Sequence, residues 1–318
     1  MDASYKPAVL AVVGPTATGK TSLGVFLAQQ FGGEVISADS MQIYRGLDVG
    51  TAKATKAEMQ GIPHHGLDIL EPDATFSVAD FVSFAGRCAG DIAARGHLPV
   101  LVGGTGLYVE SFLNGVRFAP DKADPAVKAQ LAAELSVRGA QAMYDELEAV
   151  DPESAHATHP NNTVRVLRAL EHYRATGCTL SRQKAESIPP EKPWRALVFG
   201  LDFPERAQLY AHIDGRVDRM LEAGLLQEAE WVWKNTDRFA TAAQAIGYKE
   251  FFPYFEAQQS LAECADACKR ASRNYAKRQL TWFRRMPGVL WLDAGAADVR
   301  EQARIRASAF LAEGEKNA

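Results

Sequence analysis

The sequence predicts an α/β fold with a parallel sheet and a helical insertion, and three observations support this prediction. Apolar runs of strand length recur at residues 8–13, 34–38, 98–102 and 196–201. Segments of helical character separate the first three runs, an alternation that is typical of parallel sheets. Residues 121–148 then change to a helix-forming pattern rich in Ala, Glu, Leu and Lys. We therefore predict a core made of residues 1–115 and 191–318, interrupted by a helical insertion at 116–190.

The first strand leads into a glycine-rich phosphate-binding motif. The pattern G-x-x-x-x-G-K-[ST] is matched by Gly14, Pro15, Thr16, Ala17, Thr18, Gly19, Lys20 and Thr21. Glycines allow backbone N–H groups to surround an anion, and the following helix adds partial positive charge. Lys20 is placed to reach a terminal phosphate, and the Thr21 hydroxyl to bind Mg²⁺. The motif indicates a polyphosphate ligand but not whether a P–O or a C–O bond is broken. A chance turn would not explain the flanking strand and helix.

An acidic residue, Asp39, follows the second strand, in the segment Asp39-Ser40-Met41-Gln42-Ile43-Tyr44. Because the carboxyl ends of parallel strands face the ligand crevice, we expect Asp39 to lie near the phosphate loop. It is a candidate general base or magnesium ligand. The alternative is a helix N-cap, for which Asp is well suited. We favour the functional role because a P-loop site needs acidic chemistry nearby.

A second glycine-rich turn, residues 103–106, follows the third strand and contains Thr105. Such a turn allows a substrate to approach the backbone closely, with the threonine hydroxyl available. A simple β–α turn would explain the glycines but not the threonine. Earlier in the chain, His64 and His65 are adjacent, so their side chains point apart in a strand. We predict that they form structural hydrogen bonds and do not share a metal ion.

Near the carboxyl terminus, residues 269–285 contain seven basic residues and no acid. Four of them fall near one helical face: Arg270, Arg273, Lys277 and Arg284. Tyr275, Trp282 and Phe283 are interleaved with them. A local basic patch of this kind suggests a polyanionic partner. A solvated basic helix is the alternative.

The composition limits the classes of function. The chain has 318 residues, 47% hydrophobic and 23% charged, which is ordinary for a globular protein of one or two domains. The net charge of −4 argues against a chain that is basic overall, so any nucleic-acid site must be local. Four cysteines without zinc-type pairing favour a reducing compartment. No signal peptide or membrane-length apolar run is present, so we predict a cytoplasmic monomer without membrane contact.

Four segments in this order resemble the tRNA dimethylallyltransferase family, also called tRNA isopentenyltransferases: GPTATGKT, ADSMQIYRGLDVGTAK, GIPHHGLDILEP and LVGGTGLY. Further matches continue to about Arg285, so the resemblance covers most of the chain. It implies a P-loop NTPase-like core whose helical insertion moves to clamp the anticodon stem-loop of tRNA. The chain lacks the cysteine/histidine finger that eukaryotic members often carry after the basic helix, which favours a bacterial-type enzyme.

The resemblance also assigns site residues. It gives Arg216 the role of a pyrophosphate-binding arginine. The residues it implies as tRNA contacts are Asp39, Ser40, Met41, Gln42, Thr105, Lys128, Val164, Arg165, Arg168, Gln244, Gly247, Tyr248, Lys249, Lys277, Arg278, Gln279, Thr281, Trp282 and Arg284. Three positions depart from the usual family pattern. Val164 stands where Gln is usual and cannot make the polar contact. Lys128 and His212 stand where Arg is frequent, and Lys128 cannot form a bidentate fork.

The implied reaction transfers a dimethylallyl group from dimethylallyl diphosphate to N6 of adenosine 37, in tRNAs reading codons that begin with U. The P-loop would hold the diphosphate leaving group, which Lys20, Arg216 and Mg²⁺ on Thr21 would neutralise. Asp39 would accept the proton, and Thr105 would position the reacting groups. The alternatives are a P-loop nucleotide kinase, a prenyltransferase acting on free adenine nucleotides, and an RNA-binding ATPase switch.

Overall fold

The computed structural model describes residues 6–118 and 125–315, and within them six strands form one sheet. The strands are β1 (Ala8–Val13), β2 (Gly33–Ser37), β3 (His64–His65), β4 (Leu98–Gly103), β5 (Arg195–Asp202) and β6 (Val289–Asp293). Their order is β3-β2-β4-β1-β5-β6, and every neighbouring pair is parallel. The predicted parallel α/β fold is confirmed, whereas β6 was not predicted from the sequence.

The chain divides into two compact units: Met1–Asn114 with Lys192–Ala318, and Gly115–Glu191. The helices of the first unit are α1 (Lys20–Phe31), α2 (Lys56–Met59), α3 (Val78–Ala94), α4 (Gly106–Leu113), α9 (Arg206–Glu222), α10 (Leu225–Lys234), α11 (Phe252–Phe255), α12 (Leu261–Arg285) and α13 (Val299–Glu315). Those of the second unit are α5 (Pro125–Val150), α6 (Pro152–His156), α7 (Thr163–Thr176) and α8 (Leu180–Ser187). None of the described helices is both long enough and apolar enough to cross a membrane.

Helices cover both faces of the sheet, which explains why its central strands are apolar along their whole length. On one face, side chains of α3, α4 and α12, such as Phe81, Phe112 and Phe283, form a buried cluster with β1 and β4. On the other face, Leu27 of α1 and Ala307 of α13 belong to a second cluster. Helix α12 starts cleanly because Ser260 and Glu263 form a capping box. The packing of Phe283 in the first cluster holds α12 against the sheet.

The second unit has a small core of its own. Leu131, Met143, Leu147, Val166 and Leu170 are buried together between α5 and α7. Arg174 of α7 pairs with Glu134 and Glu146 of α5 at 2.8 and 2.5 Å. The long helix α5 is interrupted at Gly139, whose φ of 80° is not helical. The unit is therefore held by an apolar core and an ion-pair network across its two main helices.

Candidate active site

Three neighbouring strands bring the predicted catalytic segments to one edge of the sheet. β1 leads into the phosphate loop, β2 into Asp39, and β4 into Thr105. The phosphate loop follows the backbone path that its sequence predicts. Gly14 has a φ of 140°, and a Cβ atom there would lie 2.4 Å from the Leu201 carbonyl oxygen, so only glycine fits. Gly19 has a φ of 80° and immediately precedes α1.

A buried glutamine joins the phosphate loop to the second glycine-rich turn. The backbone N–H of Thr16 donates to Gln279 Oε1 at 2.9 Å, and Gln279 Nε2 donates to the Gly104 carbonyl at 3.0 Å. A Cβ atom on Gly104 would lie 2.2 Å from Gln279 Nε2. The glycine therefore makes room for α12, where the sequence reading expected room for substrate. Both ends of the Gln279 amide bond to the protein, so Gln279 positions the two loops, and the implied tRNA contact stays a prediction.

The cavity next to the loop contains two buried cations, Lys20 and Arg216. Burial, and secondarily Arg216, lower the pKa of Lys20 to about 7, while Asp39 opposes the shift. Burial also lowers the pKa of Arg216, again opposed by Asp39. The Lys20 ammonium donates to the Pro15 carbonyl at 2.6 Å. Neither cation forms an ion pair within the described residues, so an anion bound here would relieve an existing electrostatic cost.

Asp39 does not cap a helix. Its Oδ1 accepts a hydrogen bond from the Met41 N–H at 2.9 Å, and the next helix begins only at Lys56. The helix-cap alternative is therefore wrong. Thr105 supports the same segment, because its Oγ1 accepts a hydrogen bond from the Ser40 N–H at 3.2 Å. The arrangement holds one carboxylate oxygen of Asp39 and leaves Oδ2 without a protein donor among the described residues.

One cavity of about 400 Å³ brings the predicted catalytic residues together. Lys20, Thr21, Asp39 and Arg216 line it, and Thr105 lies directly after its Gly103–Gly104 wall. Part of the remaining wall is apolar, and four apolar side chains of it come from α9 and α10: Ile213, Val217, Met220 and Leu225. The sequence reading missed these four residues. The helical spacings of four and three residues between Ile213, Val217 and Met220 on α9 were the signal that could have found three of them.

The residues that the resemblance assigns to tRNA binding differ in location: some line the cavity, some are buried and some are exposed on the surface. Ser40, Met41, Gln42, Gln244, Gly247, Lys249 and Arg278 line the cavity. The side-chain amide of Gln42 makes its hydrogen bonds within the protein. It donates to the Thr51 and Ala52 carbonyls and accepts from the Ser37 hydroxyl. Tyr248 is 0% exposed, and its hydroxyl donates to Glu228 at 2.7 Å. Tyr248 is thus a core residue, and the implied tRNA contact does not fit its position.

On α12, Lys277, Arg278, Thr281 and Arg284 are exposed, while Trp282 is half-buried. The ring of Trp282 packs where a side chain on Gly106 would stand, at 2.4 Å from its Cβ position. This second glycine, like Gly104, makes room for α12.

The basic face of α12 is partly neutralised, which corrects the simple patch that the sequence suggested. Three of its seven cations pair with acids from other elements: Lys269 with Asp218, Arg273 with Asp214 and Arg284 with Asp202, at 2.6, 2.5 and 2.9 Å. Four others are exposed and have no ion-pair partner in the described part of the chain: Arg270, Lys277, Arg278 and Arg285. These four are the cations available to a polyanion.

In the second unit, the four implied tRNA contacts are all exposed: Lys128, Val164, Arg165 and Arg168. Val164 is 78% exposed, so the polar side chain that the resemblance implies at this position would also reach solvent.

Metal-binding groups are sparse. The described residues contain no cluster of three or more His, Cys, Asp or Glu side chains able to hold a metal ion. His64 Nδ1 donates to the Ile62 carbonyl at 2.8 Å, and His65 Nε2 lies 2.7 Å from Glu34 Oε2. The two histidines thus form the separate hydrogen bonds that the sequence predicted.

The Thr21 hydroxyl and the Asp39 carboxylate are oxygen ligands of the type that Mg²⁺ prefers, and both line the cavity.

The fold and the site define the class of the protein: an α/β protein with a P-loop at the carboxyl edge of a parallel sheet. A family model described as IPP transferase matches residues 42–286, and one described as Isopentenyl transferase matches residues 7–68. A tRNA dimethylallyltransferase from Halalkalibacterium halodurans is 46% identical over 293 residues, covering 92% of this chain and 93% of that protein. The chain therefore belongs to the tRNA dimethylallyltransferase family.

Solved structures agree with this assignment. A full-length tRNA isopentenylpyrophosphate transferase from Bacillus halodurans is 43% identical, with 98% of this chain and 99% of that chain covered and a TM-score of 0.74. A eukaryotic dimethylallyltransferase described as acting on tRNA is 30% identical, with 96% and 80% covered and a TM-score of 0.81. The P-loop core predicted from the sequence and the resemblance to this family are confirmed.

Proposed function

We propose that this protein transfers a dimethylallyl group from dimethylallyl diphosphate to N6 of adenosine 37 in tRNAs reading codons that begin with U, as a cytoplasmic monomer. One observation carries the proposal. A single cavity combines two partly desolvated cations, a carboxylate and an apolar wall. A ligand with an anionic head and a short branched apolar tail matches the cations and the apolar side chains of α9 and α10 in that cavity. Membership of the family favours prenyl transfer over the kinase and ATPase alternatives.

The phosphate loop would bind the diphosphate as a leaving group. Negative charge on the diphosphate rises as its bond to the allylic carbon breaks, so groups that stabilise this charge act mainly in the transition state. Lys20 and Arg216 are suited to this task because both cations are partly desolvated before the ligand arrives. Mg²⁺ bound at the Thr21 hydroxyl would supply further positive charge to the diphosphate.

Asp39 would act as the base for the adenine amine. In the transfer, the N6–carbon bond forms, the carbon–oxygen bond to diphosphate breaks, and the N6 proton passes to the carboxylate. Asp39 Oδ1 is held by the Met41 N–H, which leaves Oδ2 to receive the proton. Thr105 contributes by holding Ser40, the next residue in the chain. The target base must leave its stack to reach this cavity.

The anticodon stem-loop would be bound through exposed cations. On α12 these are Lys277 and Arg278, and Arg278 also lines the cavity. Lys128, Arg165 and Arg168 offer exposed cations on the second unit. Exposed lysines and arginines position a nucleic-acid backbone without selecting its sequence. Selection of the target base would therefore depend on the cavity itself.

The test uses the purified full chain with dimethylallyl diphosphate labelled in its prenyl group. It is offered either unmodified tRNA reading a U-starting codon or AMP, without ATP. We expect label in the tRNA alone, and its loss when adenosine 37 is replaced by guanosine. Label in AMP, or label that requires ATP, would contradict the proposal.

A further inference from the structure

The carboxylate of Glu228, on α10, accepts four hydrogen bonds outside the catalytic set. Oε2 accepts from the backbone N–H groups of Asp48 and Val49 at 2.8 and 2.9 Å. Oε1 accepts from the Gly50 N–H at 2.8 Å and from the Tyr248 hydroxyl at 2.7 Å. Three successive backbone donors aimed at one anion form an anion-binding nest, here occupied by a side chain from another part of the chain. Hydrogen bonds to a charged acceptor are stronger than those between neutral groups.

The anchored loop, residues 48–52, forms part of the cavity wall through Gly50, Thr51 and Ala52. Side-chain bonds connect it to the segment that carries Asp39. Gln42 Nε2 donates to the Thr51 and Ala52 carbonyls at 3.2 and 3.3 Å. A displacement of the loop would therefore reach Gln42, three residues after Asp39.

The position of the loop has little freedom. A Cβ atom on Gly50 would lie 2.4 Å from the Tyr248 ring, so the loop backbone packs directly against that ring. Beyond the loop, Lys53 is buried, donates to the Tyr44 carbonyl at 2.8 Å and pairs with Asp48 at 2.5 Å. The loop is thus fixed by Glu228 from one side and by Gln42 and Lys53 from the other.

We propose that Glu228 is a positioning residue for the transfer reaction. It anchors residues 48–52, and through Gln42 it keeps the Asp39 segment in register with the phosphate loop. The proposal rests on the proposed function for its kinetic consequence, but the anchoring itself can be measured without any reaction.

The decisive variant is Glu228→Gln, which is nearly isosteric. In glutamine one of the two carboxylate oxygens is replaced by an NH₂ group. At either position this donor faces a backbone N–H donor, so at least one hydrogen bond is lost. If Glu228 only filled space, Gln would behave as wild type. We expect a single-turnover rate about 100-fold lower at saturating substrates, because small misplacements of reacting groups cost about this much. Affinity for inorganic diphosphate should stay within about twofold, because the phosphate loop lies on another segment.

The matched control is Glu230→Gln, two residues along the same helix, where the carboxylate pairs with Lys234. It should retain the wild-type rate. Tyr248→Phe removes one of the four donors and should give a smaller loss than Glu228→Gln. This variant keeps the proposal testable if Glu228→Gln does not fold.

Amide hydrogen exchange of the free protein provides the second measurement. In Glu228→Gln, exchange should accelerate at residues 48–50 and stay unchanged in the phosphate loop. A wild-type rate for Glu228→Gln, or unchanged exchange at residues 48–50, would overturn the proposal. If the wild-type protein failed to label tRNA, the proposed function would fail instead, while the exchange result would still decide the anchoring.

Discussion

The cavity at the sheet edge and the outer face of α12 both present positive charge, but in different environments. In the cavity, burial lowers the pKa of Lys20 and of Arg216, and neither pairs with an acid among the described residues. On α12 five of the seven cations are exposed, and three of the seven are paired with aspartates. Desolvated charge interacts strongly over short distances, whereas exposed charge is weakened by salt. The comparison indicates that the first region suits a small, highly charged ligand and the second a long polyanion.

The largest effect is expected for Asp39→Asn, which tests the chemistry of the cavity. Asn is nearly isosteric and can keep the hydrogen bond to Met41, but it cannot accept the proton. The single-turnover rate should fall by about 10²–10⁴-fold, the usual cost of losing a general base. Diphosphate affinity and the melting temperature should change little. Recovery of the rate at high Mg²⁺ would show that Asp39 is a metal ligand, and a wild-type rate would remove it from the catalytic residues.

Lys20→Ala tests the charge in the cavity. Removing one preorganised group that stabilises transition-state charge typically costs about 10²–10³-fold in rate. We expect a loss of that size in single-turnover transfer at saturating donor. Lys277→Ala on α12 removes the same charge from the exposed region and should leave that rate unchanged at saturating tRNA. Equal losses of single-turnover rate in Lys20→Ala and Lys277→Ala would show that the cavity and α12 do not differ in this way.

The lowered pKa of Lys20 predicts a pH dependence for diphosphate binding. A bound anion favours the charged ammonium, so the pKa of Lys20 should rise in the complex. Between pH 7 and the pKa in the complex, the free protein must take up a proton to bind. Affinity should therefore fall as pH rises above about 7, by at most about tenfold per pH unit for one proton.

Calorimetric titration with inorganic diphosphate in buffers from about pH 6.5 to 9 measures this dependence, and the range follows from the pKa of Lys20. Lys20→Arg is the control, because its guanidinium stays protonated and should remove the part of the dependence that Lys20 contributes, leaving that of the diphosphate itself. A slope that persisted unchanged in Lys20→Arg would show that another group titrates.

The smallest effect is expected on α12, where each exposed cation contributes modestly. Lys277→Ala combined with Arg278→Ala should weaken tRNA binding and reduce its salt dependence by a slope of about 2, for two lost phosphate contacts. Arg304→Ala with Arg306→Ala makes the same change in net charge on α13, which packs on the opposite face of the sheet. That control should leave the slope unchanged. Equal slopes in both double variants would reject α12 as the RNA-binding surface.

The two regions also differ in how well the sequence predicted them. The phosphate loop follows from a local pattern, because its sequence motif and the start of α1 lie within residues 14–21. The basic helix was recognised, but its free cations were not. The partners of Arg273 and Arg284 are Asp214 and Asp202, which lie 59 and 82 residues away. No helical periodicity predicts an ion pair over such distances.

The sequence by itself determined the parallel α/β core, the phosphate loop and the placement of Asp39 at a strand end. These features depend on hydrophobic periodicity and on short-range hydrogen bonding, and both are determined by a few neighbouring residues. Only the tertiary structure decided that Tyr248 is buried, that Gln279 joins two loops, and that Glu228 anchors residues 48–52. Each of these contacts joins segments more than 170 residues apart or depends on which helices pack together. Contacts of this kind are fixed by the packing of the whole unit and leave no local signature in the chain.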